Sequence, residues 1–209
     1  MAKVRSDMSE WSIEWYTPKY IIKIVERALG GRITLDPASC EEANREIKAK
    51  RWYGAEDNGL TQSWKSKRLW LNPPFTPALL KEFTDKLVRD LQSKEVKRAA
   101  FIMNNNTETR VFQRLVKTCS GCLFLEKRVP FRRKGETKGG GQYVGQVILF
   151  WNPVKKPTGG FYFKNPNPVY PAPPPTVRPA RAANVAPVQA NVEAPPAPVS
   201  EPAMRLVDV

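Results

Sequence analysis

Apolar positions change period several times along the first 152 residues, and each change marks an element. Ile21, Ile22, Ile24, Val25 and Leu29 recur at helical spacing behind Thr17, a candidate N-cap, and Pro18, a candidate first helical residue. Gly30-Gly31 closes that run. Arg32-Ile33-Thr34-Leu35 reads as a short buried strand, and Glu41 to Lys50 as a second helix. Trp52-Tyr53 is extended, Glu56-Asp57-Asn58-Gly59-Leu60 is a turn, and Lys67 to Leu71 is the second clear strand. The strongest helical pattern places Leu79, Leu80, Phe83, Leu87, Val88 and Leu91 on one face. Ala99 to Met103 is a third strand, Thr107 to Lys117 a helix, and Gly121 to Leu125 and Gln146 to Trp151 are further strands. Strands alternating with helices predict an α/β fold with a mostly parallel sheet. The last two strands are joined by a loop and no helix, which predicts an antiparallel pair at one edge.

The pattern fades near Asn152. Fourteen of the 20 prolines follow that residue, and from Pro171 to Pro202 the chain is mainly Pro, Ala and Val. Such a segment cannot bury enough apolar surface to offset its ordering entropy. The expected organisation is a flexible N-terminus over residues 1–10, one domain over 11–152, and a Pro-rich, largely disordered tail over 153–209.

Charge narrows the class of partner. The chain carries a formal net charge of +14, and residues 1–152 hold 28 Lys and Arg against 17 Asp and Glu. A basic domain suits a polyanion. Nucleic acid fits better than a membrane, because no apolar run reaches membrane-spanning length and no signal peptide is visible; a cytoplasmic location follows. The plainer alternative is a basic surface that serves solubility alone. Three cysteines and no histidine point to a reducing compartment and leave no complete Cys/His zinc site. No metal site is expected. The absence of histidine also removes every Ser-His-Asp, Cys-His and HExxH arrangement, so catalysis must use carboxylates, Lys, amides, backbone groups or a cofactor.

The chemistry concentrates in Asn72-Pro73-Pro74-Phe75, directly after the apolar run Leu69-Trp70-Leu71. Pro lacks an N–H and fixes φ, and the residue before it is held extended. The segment is therefore a rigid cluster of acceptors beside an aromatic ring, suited to gripping a planar –NH2 group. Asp36-Pro37-Ala38-Ser39 ends the first strand as Asn72 ends the next. Ligands of α/β sheets bind beyond such strand ends, near a topological switch point. Trp52, Tyr53 and Trp70 are assigned to the core. The segment Glu126 to Gln142 brings Lys127, Arg128, Arg132, Arg133, Lys134 and Lys138 together among glycines, a composition suited to phosphate contact.

Trp15-Tyr16-Thr17-Pro18, Leu35-Asp36-Pro37-Ala38-Ser39, Glu56-Asp57-Asn58-Gly59-Leu60 and Trp70-Leu71-Asn72-Pro73-Pro74-Phe75, in that order, resemble the bacteriophage-type DNA N6-adenine methyltransferases (the Dam-like phage family). Asn104-Asn105, Thr107 and Thr109-Arg110-Val111-Phe112 extend the resemblance, which covers roughly residues 11–152. It implies a class I (Rossmann-like) methyltransferase sheet, S-adenosylmethionine as cofactor, and double-stranded DNA as partner with the target adenine flipped out. It further implies that Asn72, Pro73, Pro74 and Phe75 hold that base. Tyr16, Thr17, Pro18, Asp36, Pro37, Ala38, Asp57 and Leu60 would line the cofactor site, Asp57 accepting from the adenine amine of the cofactor. Arg110, on the helix after Asn104-Asn105, would either join the basic loop in holding DNA or pair with an acidic side chain. The chain departs from many class I enzymes in having no glycine in Asp36-Pro37-Ala38-Ser39-Cys40 and no evident acidic residue for the ribose. No separate target-recognition domain fits, so short or relaxed sequence specificity is expected. Methylation of RNA adenine, cytosine N4 or a protein amide shares this chemistry, and a non-catalytic nucleic-acid-binding module is the reading from another class.

Overall fold

A computed structural model describes residues 15–133, 136, 139–141 and 144–170. The elements run α1 (Lys19–Leu29), β1 (Leu35–Asp36), α2 (Glu41–Ile47), β2 (Arg51–Trp52), β3 (Leu69–Leu71), α3 (Pro77–Gln92), β4 (Ala99–Asn104), α4 (Arg110–Thr118), β5 (Gly121–Leu125), β6 (Pro130–Phe131), β7 (Gly140–Gly141), β8 (Gln146–Trp151) and β9 (Gly160–Lys164). Seven strands form one sheet in the order β2-β1-β3-β4-β8-β5-β9, and β6 and β7 form a separate ribbon. β1 to β4 are parallel, β8 runs antiparallel to both β4 and β5, and β9 runs antiparallel to β5. This strand order is consistent with a Rossmann-like methyltransferase sheet.

Alternation along the central strands sorts the core into two layers. Leu69 and Leu71 of β3, with Phe101 and Met103 of β4, pack with Phe83 and Leu87 of α3 and Leu115 of α4. Trp70, Ala100 and Ile102 point the other way and pack with Ile21, Val25 and Leu29 of α1 and Ile47 of α2. All three residues of β3 are buried, as expected of a strand covered on both faces. Trp70 is part of the core, and Cys119 and Cys122 are buried there as free thiols.

The chain runs from β1 through α2 to β2 on one side of β1, then returns to place β3 on the other side. The order of strands therefore reverses between β1 and β3, and their C-terminal ends part to leave a crevice. Asp36 ends β1, and Asn72 directly follows β3.

Three expectations need correction. The antiparallel pair of β5 and β8 forms, but β8 lies inside the sheet and β9 is the edge. Thr17 does not cap α1; the cap position is Pro18, with φ −63° and ψ 144°, and no side chain bonds there. The folded chain also continues past Asn152. Val154 N–H donates to the Ala28 carbonyl at 2.8 Å, and Asn165 Nδ2 donates to the Val116, Lys117 and Cys119 carbonyls at the end of α4. Gly159, Gly160 and the flanking prolines hid β9 from a reading based on composition. Gly160 is required there because an added Cβ would lie 2.0 Å from the Phe124 carbonyl oxygen on β5.

Ending the chain at Asn152 should therefore remove the β9 pairing and the α4 cap. The expected loss is on the order of 3 kcal/mol, or roughly 10 °C in melting temperature. Ending it at Tyr170 should leave the melt unchanged. Thermal denaturation of the two truncations decides this, and equal melts would show that β9 adds nothing.

Candidate active site

The crevice between β1 and β3 opens into a cavity of ≈ 250 Å³. Asp36, Pro37, Ala38 and Ser39 reach it from the end of β1, and Asn72 and Pro74 from the end of β3. Trp15, Tyr16 and Thr17 close it from the segment before α1, Asn58, Gly59 and Leu60 from the turn after β2, and Leu79 and Phe83 from α3. Of the residues expected to hold a cofactor, Tyr16, Thr17, Asp36, Pro37, Ala38 and Leu60 thus share one cavity, 44 positions apart at the extremes of the chain segment that supplies them.

Pro18 and Asp57 lie outside the lining. Pro18 starts α1. Asp57 is exposed, and its Oδ2 accepts the Gly54 N–H at 2.8 Å while its carbonyl accepts Gln62 Nε2 at 2.8 Å. Its carboxylate shapes the turn, and the neighbouring Asn58 faces the cavity. Asn58 was missed because it carries no charge to mark it. Leu79 and Phe83 were missed because helical periodicity assigns them to the core, and both also pack there.

Gly59 holds two walls of the cavity together. A Cβ added to it would lie 1.9 Å from the Pro37 carbonyl oxygen, and its own carbonyl accepts Trp64 Nε1 at 2.7 Å. The close approach is backbone against backbone, so no rotamer change relieves it. Gly59→Ala should destabilise the fold by about 1–3 kcal/mol, the usual range for overpacking, and weaken ligand binding to the cavity. Chemical denaturation and calorimetric titration test both; a variant unchanged in each would remove Gly59 from this role.

Asp36 is only 1% exposed. Burial pushes its pKa from 3.8 up to about 7, and hydrogen bonds from the Ala38 N–H, 3.2 Å from Oδ1, and from the Ser39 hydroxyl partly oppose the rise. A carboxylate at this depth gains from a cationic neighbour.

Asn72 is held from one side. Its Nδ2 donates to the Trp15 carbonyl at 2.7 Å and to Thr17 Oγ1 at 3.1 Å. Its Oδ1 is buried and accepts from no group among the described residues. Buried polar atoms in native folds find partners, so this orphan marks a place where a ligand can supply one.

Pro73 is buried, and Phe75 turns away from the first cavity. Phe75 lines a second cavity of ≈ 250 Å³ with Pro77, Leu80, Met103, Asn104, Asn106, Thr109 and Val111. The segment Asn72-Pro73-Pro74-Phe75 therefore contributes to both cavities. Asn104 and Thr109 are polar groups that the resemblance touched without assigning them to a site, and Asn106 was not singled out. Arg110 is exposed between Thr109 and Val111 at the rim of this second cavity.

The basic loop divides in two. Lys127 and Arg128 are exposed. Arg132 and Arg133 lean on the first cavity's wall: Arg132 lies 5.6 Å from the Tyr16 ring centre and 3.2 Å from Glu42, and Arg133 lies 4.4 Å from the Trp15 ring centre. Tyr16 and Arg132 also exchange two backbone hydrogen bonds. Lys134 and Lys138 lie outside the described residues.

No helix among the described residues is long and apolar enough to cross a membrane. A profile of the family described as DNA N-6-adenine-methyltransferase (Dam) matches residues 7–170, a span that includes β9. The chain is also similar to a DNA N-6-adenine-methyltransferase of Haemophilus phage HP1 (strain HP1c1), 23% identical over 142 residues that cover 65% of this chain and 77% of the relative. The sheet, the paired strand ends and the family match agree: the chain belongs to the DNA N-6-adenine-methyltransferase family.

Proposed function

We propose that the protein methylates N6 of adenine in DNA, with the cofactor in the cavity between β1 and β3 and the flipped base in the cavity beside Phe75. One observation carries this reading: Asn72-Pro73-Pro74-Phe75 is shared between two cavities, Asn72 and Pro74 lining one and Phe75 the other. Methyl transfer needs acceptor and donor in direct contact, so the amine of a base stacked beside Phe75 must reach along this segment to Asn72 at the edge of the cofactor cavity.

The family implies S-adenosylmethionine, which when bound supplies an electrophilic methyl group on a cationic sulfonium. The residues present fit such a group. Asp36 offers a buried negative charge, Ser39 and Asn58 offer polar contacts, and Pro37, Leu60, Leu79 and Phe83 offer apolar surface. Asp57 does not line the cavity and Asn58 does, so Asn58 is the better candidate for contact with the adenine amine of the cofactor.

Exocyclic N6 is a weak nucleophile because its lone pair is delocalised into the ring. Asn72 Oδ1, with a carbonyl of the Pro-Pro segment, accepts the N6–H bonds and draws the nitrogen toward tetrahedral geometry. Acceptors already in place then stabilise the positive charge that develops on N6. Fixed positioning of the base supplies much of the remaining acceleration. No histidine base is required, because the proton leaves after transfer. A base within a duplex must be extruded to reach the cavity, and Phe75 gives it a stacking partner. Lys127, Arg128 and Arg110 are available for phosphates. Lys134 and Lys138 belong to the same proposal.

The test is transfer of radiolabelled methyl from S-adenosylmethionine to unmethylated DNA, followed by nucleoside analysis. Label in N6-methyladenine is expected. Label in N4-methylcytosine, or only in RNA offered as competitor, would overturn the assignment of substrate.

A further inference from the structure

Resting on the adenine-methylation reading, we propose that the Trp15 carbonyl and the Thr17 hydroxyl form a lock that fixes which end of the Asn72 amide meets the substrate. Thr17 is then a positioning residue for the reaction. The two ends of a primary amide are alike in size and opposite in polarity: the oxygen accepts two hydrogen bonds and the nitrogen donates two. An amide turned over would present N–H groups to the N–H groups of the target amine and could not hold it.

The Trp15 carbonyl decides between these orientations, because it can only accept. It lies 2.7 Å from Asn72 Nδ2, and turning the amide over would set two oxygens against each other at that distance. The Thr17 hydroxyl takes the second N–H at 3.1 Å. With both N–H groups in use, Oδ1 is the one unsatisfied atom of a side chain that lines the cavity. Thr17 is 2% exposed, so water does not compete for its hydroxyl, and no cap bond to α1 diverts it. The segment that carries the lock is itself held. Tyr16 pairs with Arg132 through the backbone, and Arg133 lies over the Trp15 ring.

The same geometry requires asparagine in this chain. An ionised carboxylate at this position could accept N6–H, but it has no proton for the Trp15 carbonyl. A protonated carboxylic acid restores the donor and keeps one acceptor.

Two measurements test the lock. The first is the ratio of kcat for Asn72→Asp to kcat for the parent, at saturating S-adenosylmethionine and DNA, between about pH 6 and pH 8, a range in which a carboxylate facing a carbonyl is expected to gain its proton. The ratio should be small at the alkaline end and rise as pH falls; a flat ratio, or parent-like activity throughout, would overturn the proposal. The second is the exchange of the Asn72 side-chain amide protons with water, followed by NMR in the free protein labelled with ¹⁵N-asparagine. Both protons should be protected in the parent, one should lose protection in Thr17→Val, and Thr17→Ser should restore it. Unchanged protection in Thr17→Val would sink the lock whatever the enzyme does with DNA. In turnover, Thr17→Val should lower kcat about fivefold to tenfold, the effect of one hydrogen bond, with S-adenosylmethionine affinity within about twofold of the parent. A weakened affinity with kcat intact would make Thr17 a cofactor contact instead. Absence of adenine methylation by the parent would refute the functional reading, while the NMR result would still decide the lock.

Discussion

Asn72→Ala is expected to reduce methyl transfer by at least about a hundredfold, the scale seen when a preorganised group that stabilises transition-state charge is removed. Affinity for S-adenosylmethionine should stay nearly unchanged. The reason lies in how the side chain is oriented. Its N–H groups are committed to Trp15 and Thr17, and only Oδ1 is left for a ligand. That oxygen is assigned to the target amine, whose charge changes during the reaction. Alanine removes the acceptor without filling the cofactor cavity or deleting Asp36. Single-turnover transfer beside calorimetric cofactor titration separates the two effects. Equal losses in both would place Asn72 in the cofactor site and leave the target amine to other acceptors.

Asp36→Asn has the second large effect, and it moves stability and binding in opposite directions. Burial holds the carboxyl's pKa at about 7 in the folded chain against 3.8 for the free group. Between those values the folded state binds a proton that the unfolded state has lost. Stability therefore falls as pH rises from about 4 to about 7 and levels off above, by about 4 kcal/mol over the window. The ligand-free asparagine variant should lack this slope and melt higher than the parent at about pH 8. It should also lose affinity for a cationic cofactor. In the parent, that affinity should weaken as pH drops below about 7, where Asp36 becomes neutral. Melting curves across pH for the two proteins, with cofactor titrations at both ends, test the pair of claims. Parallel slopes in parent and variant would show that another group is responsible. The site is thus a case in which a group disfavoured by the fold is kept for what it binds.

Much of the sheet was legible because its signals are local. The apolar runs of β3, β4, β5 and β8 and the one-sided pattern of α3 each lie within one short window, and all six residues of β8 are buried as an apolar run implies. β9 was not legible. It is a five-residue strand with exposed Phe161 and Phe163 among glycines and prolines, and it exists because β5 offers an edge. The interior position of β8 was equally hidden, since a loop between two strands says that they can pair and not which neighbour the second one takes. In the site, Asp36 and Asn72 stood out as polar residues at strand ends. Asn58 did not, because its neighbour Asp57 carried the charge. Arg132 and Arg133 looked like free cations from composition, and the fold sets both against aromatic rings.

By itself the sequence determined the alternation of helices and strands, the absence of any histidine chemistry, and the acceptor cluster at Asn72-Pro73-Pro74-Phe75, since each follows from side-chain type and spacing within a few residues. Tertiary structure alone decided which atom of Asn72 is free. The Thr17 hydroxyl has the right chemistry to cap the helix beside it, and instead it accepts from Asn72, 55 residues away. A hydroxyl takes whichever donor the packed backbone brings within reach, and the order of strands in the sheet, not the neighbouring sequence, brings that donor.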